Sequence, residues 1–133
     1  MADCDLASYN SPRHTPKLVG IVGMVAPVHT APKFRPGQLV RHRRYGYRGV
    51  IVAVDGGCRA SDEWYRRNKT QPFRAQPWYH VLVDGGELTT YAAETSLQED
   101  SSGQGIEHPL IPAFFSSFTA DGYMRNDRPW LVD

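Results

Sequence analysis

Gly37-Gln38-Leu39-Val40-Arg41-His42-Arg43-Arg44-Tyr45-Gly46-Tyr47-Arg48-Gly49-Val50-Ile51-Val52-Ala53-Val54 is the stretch from which the fold can be read. Residues 38–42 predict a strand, with Leu39 and Arg41 on one face and Val40 and His42 on the other. Residues 43–49 are a basic loop in which Gly46 and Gly49 permit a tight turn between strands. Residues 50–54 are apolar on both faces, which predicts a central strand. Asp55-Gly56-Gly57 ends it.

Downstream, Ser61 reads as a helix N-cap. Asp62 and Glu63 stand at the positive end of the helix dipole, and Arg66, Arg67 and Lys69 at its negative end. A short inserted helix over residues 62–68 follows, then a loop over 71–77. Residues 78–83 and 87–92 are β-rich and flank Asp84-Gly85-Gly86, which predicts a hairpin. A short strand is expected near 95–97, and a polar loop over 100–105. In residues 109–118, Leu110, Phe114 and Phe118 recur at helical spacing with Ile111 and Phe115 beside them. That predicts a C-terminal helix, stopped by Asp121-Gly122, and a tail that adds a strand or lies over the core. Four or five short strands are too few for a sandwich. The expected fold is mainly β, a small, partly open SH3-like barrel with an inserted and a C-terminal helix.

Upstream, residues 1–33 hold four prolines and show no amphipathic period, so they read as a flexible arm with a short extended piece near 18–25. The nearly apolar run 18–28 is far shorter than the roughly 20 residues of a membrane-spanning helix. Asp3 and Asp5 precede it and no small-x-small cleavage site follows, so a cytoplasmic protein is expected, with no membrane partner.

The chain has 133 residues, 41% hydrophobic and 22% charged, a composition that suits one folded domain with a tail rather than a disordered chain. Ten prolines and twelve glycines argue against long helices, and no heptad or triplet repeat is present. The net charge of +1 hides a polarity. Residues 34–69 hold nine Lys/Arg against three acids, and residues 70–133 hold three against nine. The acidic half is either a solvated face or the complement of the basic half in a homo-oligomer.

Neither catalysis nor metal chemistry finds a motif. Cys4 and Cys58 are too far apart for a zinc pattern or a disulfide framework. His42 and His80 lie within predicted strands and read as hydrogen-bonded, partly buried histidines. Cys58, His80 and Asp84 have no local support as a nucleophilic set. No Gly-Lys-Ser/Thr follows Gly49, so the glycines do not form a phosphate loop. No enzyme, cofactor or metal is expected. The chemistry that does stand out is cationic: Arg41, Arg43, Arg44 and Arg48 with Tyr45 and Tyr47 between them. Planar guanidinium groups suit phosphate, and tyrosines can stack on bases. Arg66 and Arg67 extend the patch if the inserted helix packs nearby. The same cluster also fits a solvated loop, or a face that docks on an acidic protein.

The stretch from Gly37 to Ile51 resembles the opening of the HspQ/YccV-like hemimethylated-DNA-binding domains. Four further pieces match in order: Ser61-Asp62-Glu63-Trp64-Tyr65, Gln76-Pro77-Trp78-Tyr79-His80-Val81-Leu82-Val83, Thr90-Tyr91-Ala92-Ala93-Glu94, and His108-Pro109 leading to Phe115, Phe118, Gly122 and Tyr123. The resemblance covers residues 34–125 and leaves 126–133 as a tail. It implies an SH3-like barrel without cofactor or catalysis. It attaches two functions: binding hemimethylated DNA in bacterial members, and acting as an adaptor or specificity factor for an ATP-dependent protease of Lon or Clp type in the stress response. The arm of 33 residues and the arginine excess depart from the short bacterial members.

The leading expectation is therefore a bacterial, non-enzymatic module that binds double-stranded, hemimethylated DNA through Arg41, Arg43, Arg44, Tyr45 and Arg48, with Arg66 and Arg67. The runner-up is the protease adaptor. Phe114 and Phe115 are neighbours, so on a helix one of them is left exposed for a protein partner. A third reading, a Tudor-like module, is carried by Val40-x-His42-x-x-Tyr45-Gly46-x-x-Gly49-Val50 and not by the later motifs.

Overall fold

The computed structural model describes residues 31–130. The arm, including the extended piece expected near residues 18–25, falls outside the described residues apart from its last three. The elements run β1 (Leu39–His42), β2 (Arg48–Asp55), α1 (Asp62–Arg66), β3 (Trp78–Val83), β4 (Thr89–Ala93), a 3-10 turn (Glu94–Ser96), β5 (Leu97–Glu99), α2 (Ile111–Phe114), β6 (Phe115–Thr119) and β7 (Gly122–Arg125). The first five strands form one antiparallel sheet in the order β4-β3-β2-β1-β5. The 3-10 turn carries the chain from β4 at one end of the sheet to β5, which pairs with β1 at the other. The sheet stays open between β4 and β5 among the described residues, so the domain is mainly β and partly open, as expected.

The apolar run of β2 is central because both faces of the sheet are covered. Val50 and Val52 join Leu39, Leu82, Ile106, Phe114 and Phe115 on one side. Ile51 joins Val40, Tyr79, Val81, Ala92 and Leu97 on the other, inside the curl. A shift in the β2–β3 register between Ile51 and Ala53 turns both Val52 and Ala53 towards the first cluster. Such a bulge bends a strand and increases its twist, which lets one short sheet enclose a core. A third cluster, Ala60, Trp78, Tyr91 and Ala93, lies under Trp64 and Tyr65 of α1.

The inserted helix forms where its caps placed it: the Ser61 side chain accepts from the Trp64 amide at 3.1 Å. The Asp84-Gly85-Gly86 hairpin forms too, with Gly85 at φ +98°. The C-terminal helix is shorter than its period suggested. It is one turn, α2, and residues 115–119 form β6. Successive helical residues point about 100° apart, so a continued helix would turn one of two neighbouring phenylalanines away from the core. The switch to extended backbone at Phe115 buries both rings in the same cluster. Neither Phe114 nor Phe115 is exposed, which corrects the expectation that one of them is.

The β6–β7 hairpin closes against the start of β1. The Tyr123 amide donates to Gly37 O at 2.9 Å. Residues 126–130 continue over the core, where the Trp130 ring stands edge-on to Phe114 at 5.2 Å.

Candidate nucleic-acid interface

The basic loop is a tight turn built around a buried histidine. The His42 amide donates to Tyr47 O at 2.8 Å and Gly46 N donates to His42 O at 2.9 Å, with Gly46 at φ +78°. The amides of Arg44 and Tyr45 both donate to His42 Nδ1, at 3.1 and 3.0 Å. That nitrogen therefore accepts both bonds through its ring lone pair. Tyr45 stacks on the ring at 4.8 Å and Tyr47 lies at 5.0 Å. The alternation of β1 placed His42 inward, and its position one residue before the turn lets it cap the turn's amides.

The four arginines of this region divide by what they hold. Arg48 is bound inside the protein. Its Nε and Nη2 donate to Asp100 Oδ2 at 3.1 and 3.0 Å, and Nη2 also reaches Ser102 Oγ and Gln104 O. Its Nη1 meets Asp84 Oδ2 at 3.4 Å and Gly105 O at 3.5 Å. Arg41 donates to Gly46 O at 3.2 Å and pairs with the other Asp100 oxygen at 3.4 Å. Burial by itself would raise the Asp100 carboxyl. The hydrogen bonds from Ser102 and Arg48, with the charges of Arg48 and Arg41, outweigh burial and hold it below its ordinary value of 3.8. Arg43 is exposed and lies along β5, donating to Leu97 O at 3.1 Å and Gln98 Oε1 at 3.3 Å. Arg44 is exposed, with its guanidinium 5.7 Å from the Tyr45 ring centre.

Arg66 and Arg67 stand elsewhere. The turn lies at the Arg48 end of β2 and α1 follows its Asp55 end, and eight extended residues span about 23 Å. The structure thus brings Arg41, Arg43, Arg44, Tyr45 and Arg48 together and leaves Arg66 and Arg67 at the other end of the strand.

No hydrogen bond among the described residues joins Cys58, His80 and Asp84 into a nucleophilic set. Asp84 is bound to Arg48, whereas His80 Nε2 lies 3.3 Å from Asp55 Oδ2, the same oxygen that Tyr91 OH donates to at 2.6 Å. Burial would raise Asp55, but the His80 and Tyr91 hydrogen bonds lower it overall, and burial with the Asp55 charge raises the Tyr91 phenol. Burial also pushes up the Cys58 thiol, the opposite of an activated nucleophile. No group of His, Cys, Asp and Glu able to hold a metal ion occurs among the described residues. No described helix is long and apolar enough to cross a membrane.

Two features escaped the sequence reading. Asp100 lies 52 positions from Arg48, and nothing local marks it as a partner. Phe73 is 72% exposed on the α1–β3 loop. An aromatic residue between Pro72 and Arg74 in an otherwise polar loop was the available signal.

This architecture, an open antiparallel sheet with a histidine-capped basic turn and a C-terminal hairpin over one face, defines a small, mainly β domain. The chain belongs to the YccV-like family, described as hemimethylated DNA-binding protein YccV like, whose model matches residues 32–122. Among curated proteins it is similar to F-box only protein 21 of Homo sapiens, Pongo abelii and Mus musculus. Each is 37% identical over 93 residues, which are 68% of this chain and 15% of the relative. The chain thus spans about 15% of the length of these relatives. All three are mammalian and lend no support to a bacterial source.

Proposed function

We propose that this domain binds double-stranded DNA without catalysis, through the turn between β1 and β2. The observation that carries this reading is a rigid turn offering two exposed guanidinium groups, Arg43 and Arg44, in a chain of the YccV-like family. Arg43 and Arg44 contact phosphates, Tyr45 packs on the backbone beside them, and Arg41 and Arg48 hold the turn in place by way of Asp100. Backbone contacts of this kind release counterions, so affinity falls steeply with salt. Preference for hemimethylated DNA comes from the family's description and is part of the same proposal.

The test is fluorescence anisotropy with a GATC-containing duplex in unmethylated, hemimethylated and fully methylated forms, at low and physiological salt. Tighter binding to the hemimethylated form supports the whole reading. Equal, salt-sensitive binding to all three leaves a backbone-reading module. Absence of binding at low salt, or a folded Arg43→Glu/Arg44→Glu variant that binds as well as the parent, sinks it.

A second reading, an adaptor that presents substrates to an ATP-dependent protease, is favoured by one observation. With Phe114 and Phe115 buried, the exposed large apolar side chains after β5, among the described residues, are Phe118 (43%) and Met124 (52%) on the β6–β7 hairpin. On that reading Phe118→Ser/Met124→Ser abolishes pull-down of a protease of this type, and Arg43→Glu/Arg44→Glu does not.

A further inference from the structure

The positive charge of this domain is not concentrated where the sequence places it. Arg41 and Arg48 are neutralised by Asp100 and Asp84. Arg66, Arg67 and Lys69, at the end of α1 and just beyond it, are all exposed, and none forms an ion pair among the described residues. Beyond them the chain presents Phe73 to solvent. At 72% it is the most exposed large apolar side chain among the described residues.

The loop that carries this ring is held from several sides. Tyr65 OH donates to Gln71 O at 2.8 Å and Pro72 O at 2.7 Å. Phe73 O accepts from Gln76 Nε2 at 2.8 Å and Trp78 Nε1 at 3.3 Å. Arg74 lies over the Tyr65 ring at 4.7 Å, donates to Ala60 O and pairs with Asp62. The backbone on both sides of Phe73 is thus pinned while its ring is left outside. Gln71 ties this loop to the end of α1, its Nε2 donating to Arg66 O and Asn68 O at 3.2 Å each. An anchored aromatic ring on a loop joined in this way to exposed cations fits a polymer with anionic backbone and unstacked bases: the cations hold phosphates and the ring stacks on a base. An apolar protein surface would leave the three cations without a counterpart.

We propose that the α1–β3 segment is a second nucleic-acid contact, in which Phe73 stacks on an unpaired base and Arg66, Arg67 and Lys69 bind the adjoining phosphates. The proposal rests on the reading of the domain as a DNA-binding module. It adds single-stranded DNA next to a duplex as the substrate class, because a ring can cover a base face only where the base is unstacked. The two basic groups at opposite ends of β2 then contact different parts of one ligand.

The experiment compares the full chain on a blunt duplex and on the same duplex with a short single-stranded extension carrying a fluorescent purine analogue. The expected result is tighter binding to the extended probe, with quenching of the analogue. Phe73→Ala lowers affinity for the extended probe about fivefold to about a hundredfold and leaves the blunt duplex unchanged. Phe73→Trp retains both, and Arg66→Glu/Arg67→Glu weakens the extended probe alone. The ring is exposed, so its removal does not threaten the fold. Phe73→Ala binding the extended probe like the parent overturns the inference and leaves Phe73 as a protein contact. If duplex binding through Arg43 and Arg44 persists in that case, the proposed function stands without this second contact. If the chain binds neither probe, both fall.

Discussion

Arg48 at the start of β2 and Asp100 just after β5 lie 52 positions apart and meet at 3.0 Å, with side chains only 17% and 3% exposed. The pair ties the first strand pair to the loop that leads into the C-terminal module, because the same guanidinium also holds Ser102, Gln104 and Gly105. Removing one member of a mostly buried pair leaves the other charge uncompensated. Asp100→Ala is expected to lower stability by about 3 kcal/mol. Asp84→Asn, which removes a longer and more exposed contact to the same arginine, is expected to cost about 1 kcal/mol or less. Urea unfolding of both variants measures the difference, and equal losses would refute the ranking.

Acid should act through two carboxyls. Asp100 and Asp55 both sit below 3.8 in the folded protein. A depressed carboxyl stabilises the fold fully above its unfolded pKa, and that contribution is lost as pH falls through the folded value. Stability should therefore hold from neutral pH down to about pH 5 and decline below about pH 4. The decline should be shallower in Asp100→Asn, which has already lost that contribution. Urea midpoints measured across this range test it, and an identical slope in the variant would rule out Asp100 as a source.

His42 acts on the turn as an acceptor. His42→Phe keeps a ring between Tyr45 and Tyr47 but leaves the Arg44 and Tyr45 amides without Nδ1. The expected loss is about 1–3 kcal/mol, together with weaker DNA binding by the folded protein. In His42→Asn, Oδ1 can take the place of Nδ1, so affinity should recover more than stability does. Anisotropy and urea unfolding on the same samples separate the two effects. Unchanged affinity in His42→Phe would show that the turn needs no such cap.

Gly37 and Gly122 meet where the hairpin docks. A Cβ on Gly37, at φ +95°, would lie 2.1 Å from Tyr123 O, and one on Gly122, at φ +115°, would lie 2.6 Å from Gly37 O. Both contacts are with backbone, which cannot swing away. Gly37→Ala should cost more than about 2 kcal/mol and loosen the β6–β7 hairpin. Thermal unfolding and the near-ultraviolet circular dichroism of Tyr123 and Trp130 report it. A variant as stable as the parent would mean that the hairpin is not held there.

Much of the fold was legible because it is encoded locally. The alternation in β1, the two-sided apolar run of β2, the Ser61 cap and the Asp84-Gly85-Gly86 hairpin each depend on neighbours within a few residues, and each appears where it was expected. The motif order from Gly37 to Tyr123 was likewise enough to assign the family. What tertiary structure alone decided involves partners distant in sequence. The helical period of residues 109–118 was outweighed by the gain from burying Phe114 and Phe115 in one cluster with Leu39, Val50 and Leu82. The row of arginines read as one patch, yet Asp100 and Asp84 claimed two of them, and the length of β2 set Arg66 and Arg67 apart from the rest. Local preferences determine strands and turns from adjacent residues. Which charges stay free depends on which groups the folded chain brings within a few ångströms, and no window along the sequence contains that.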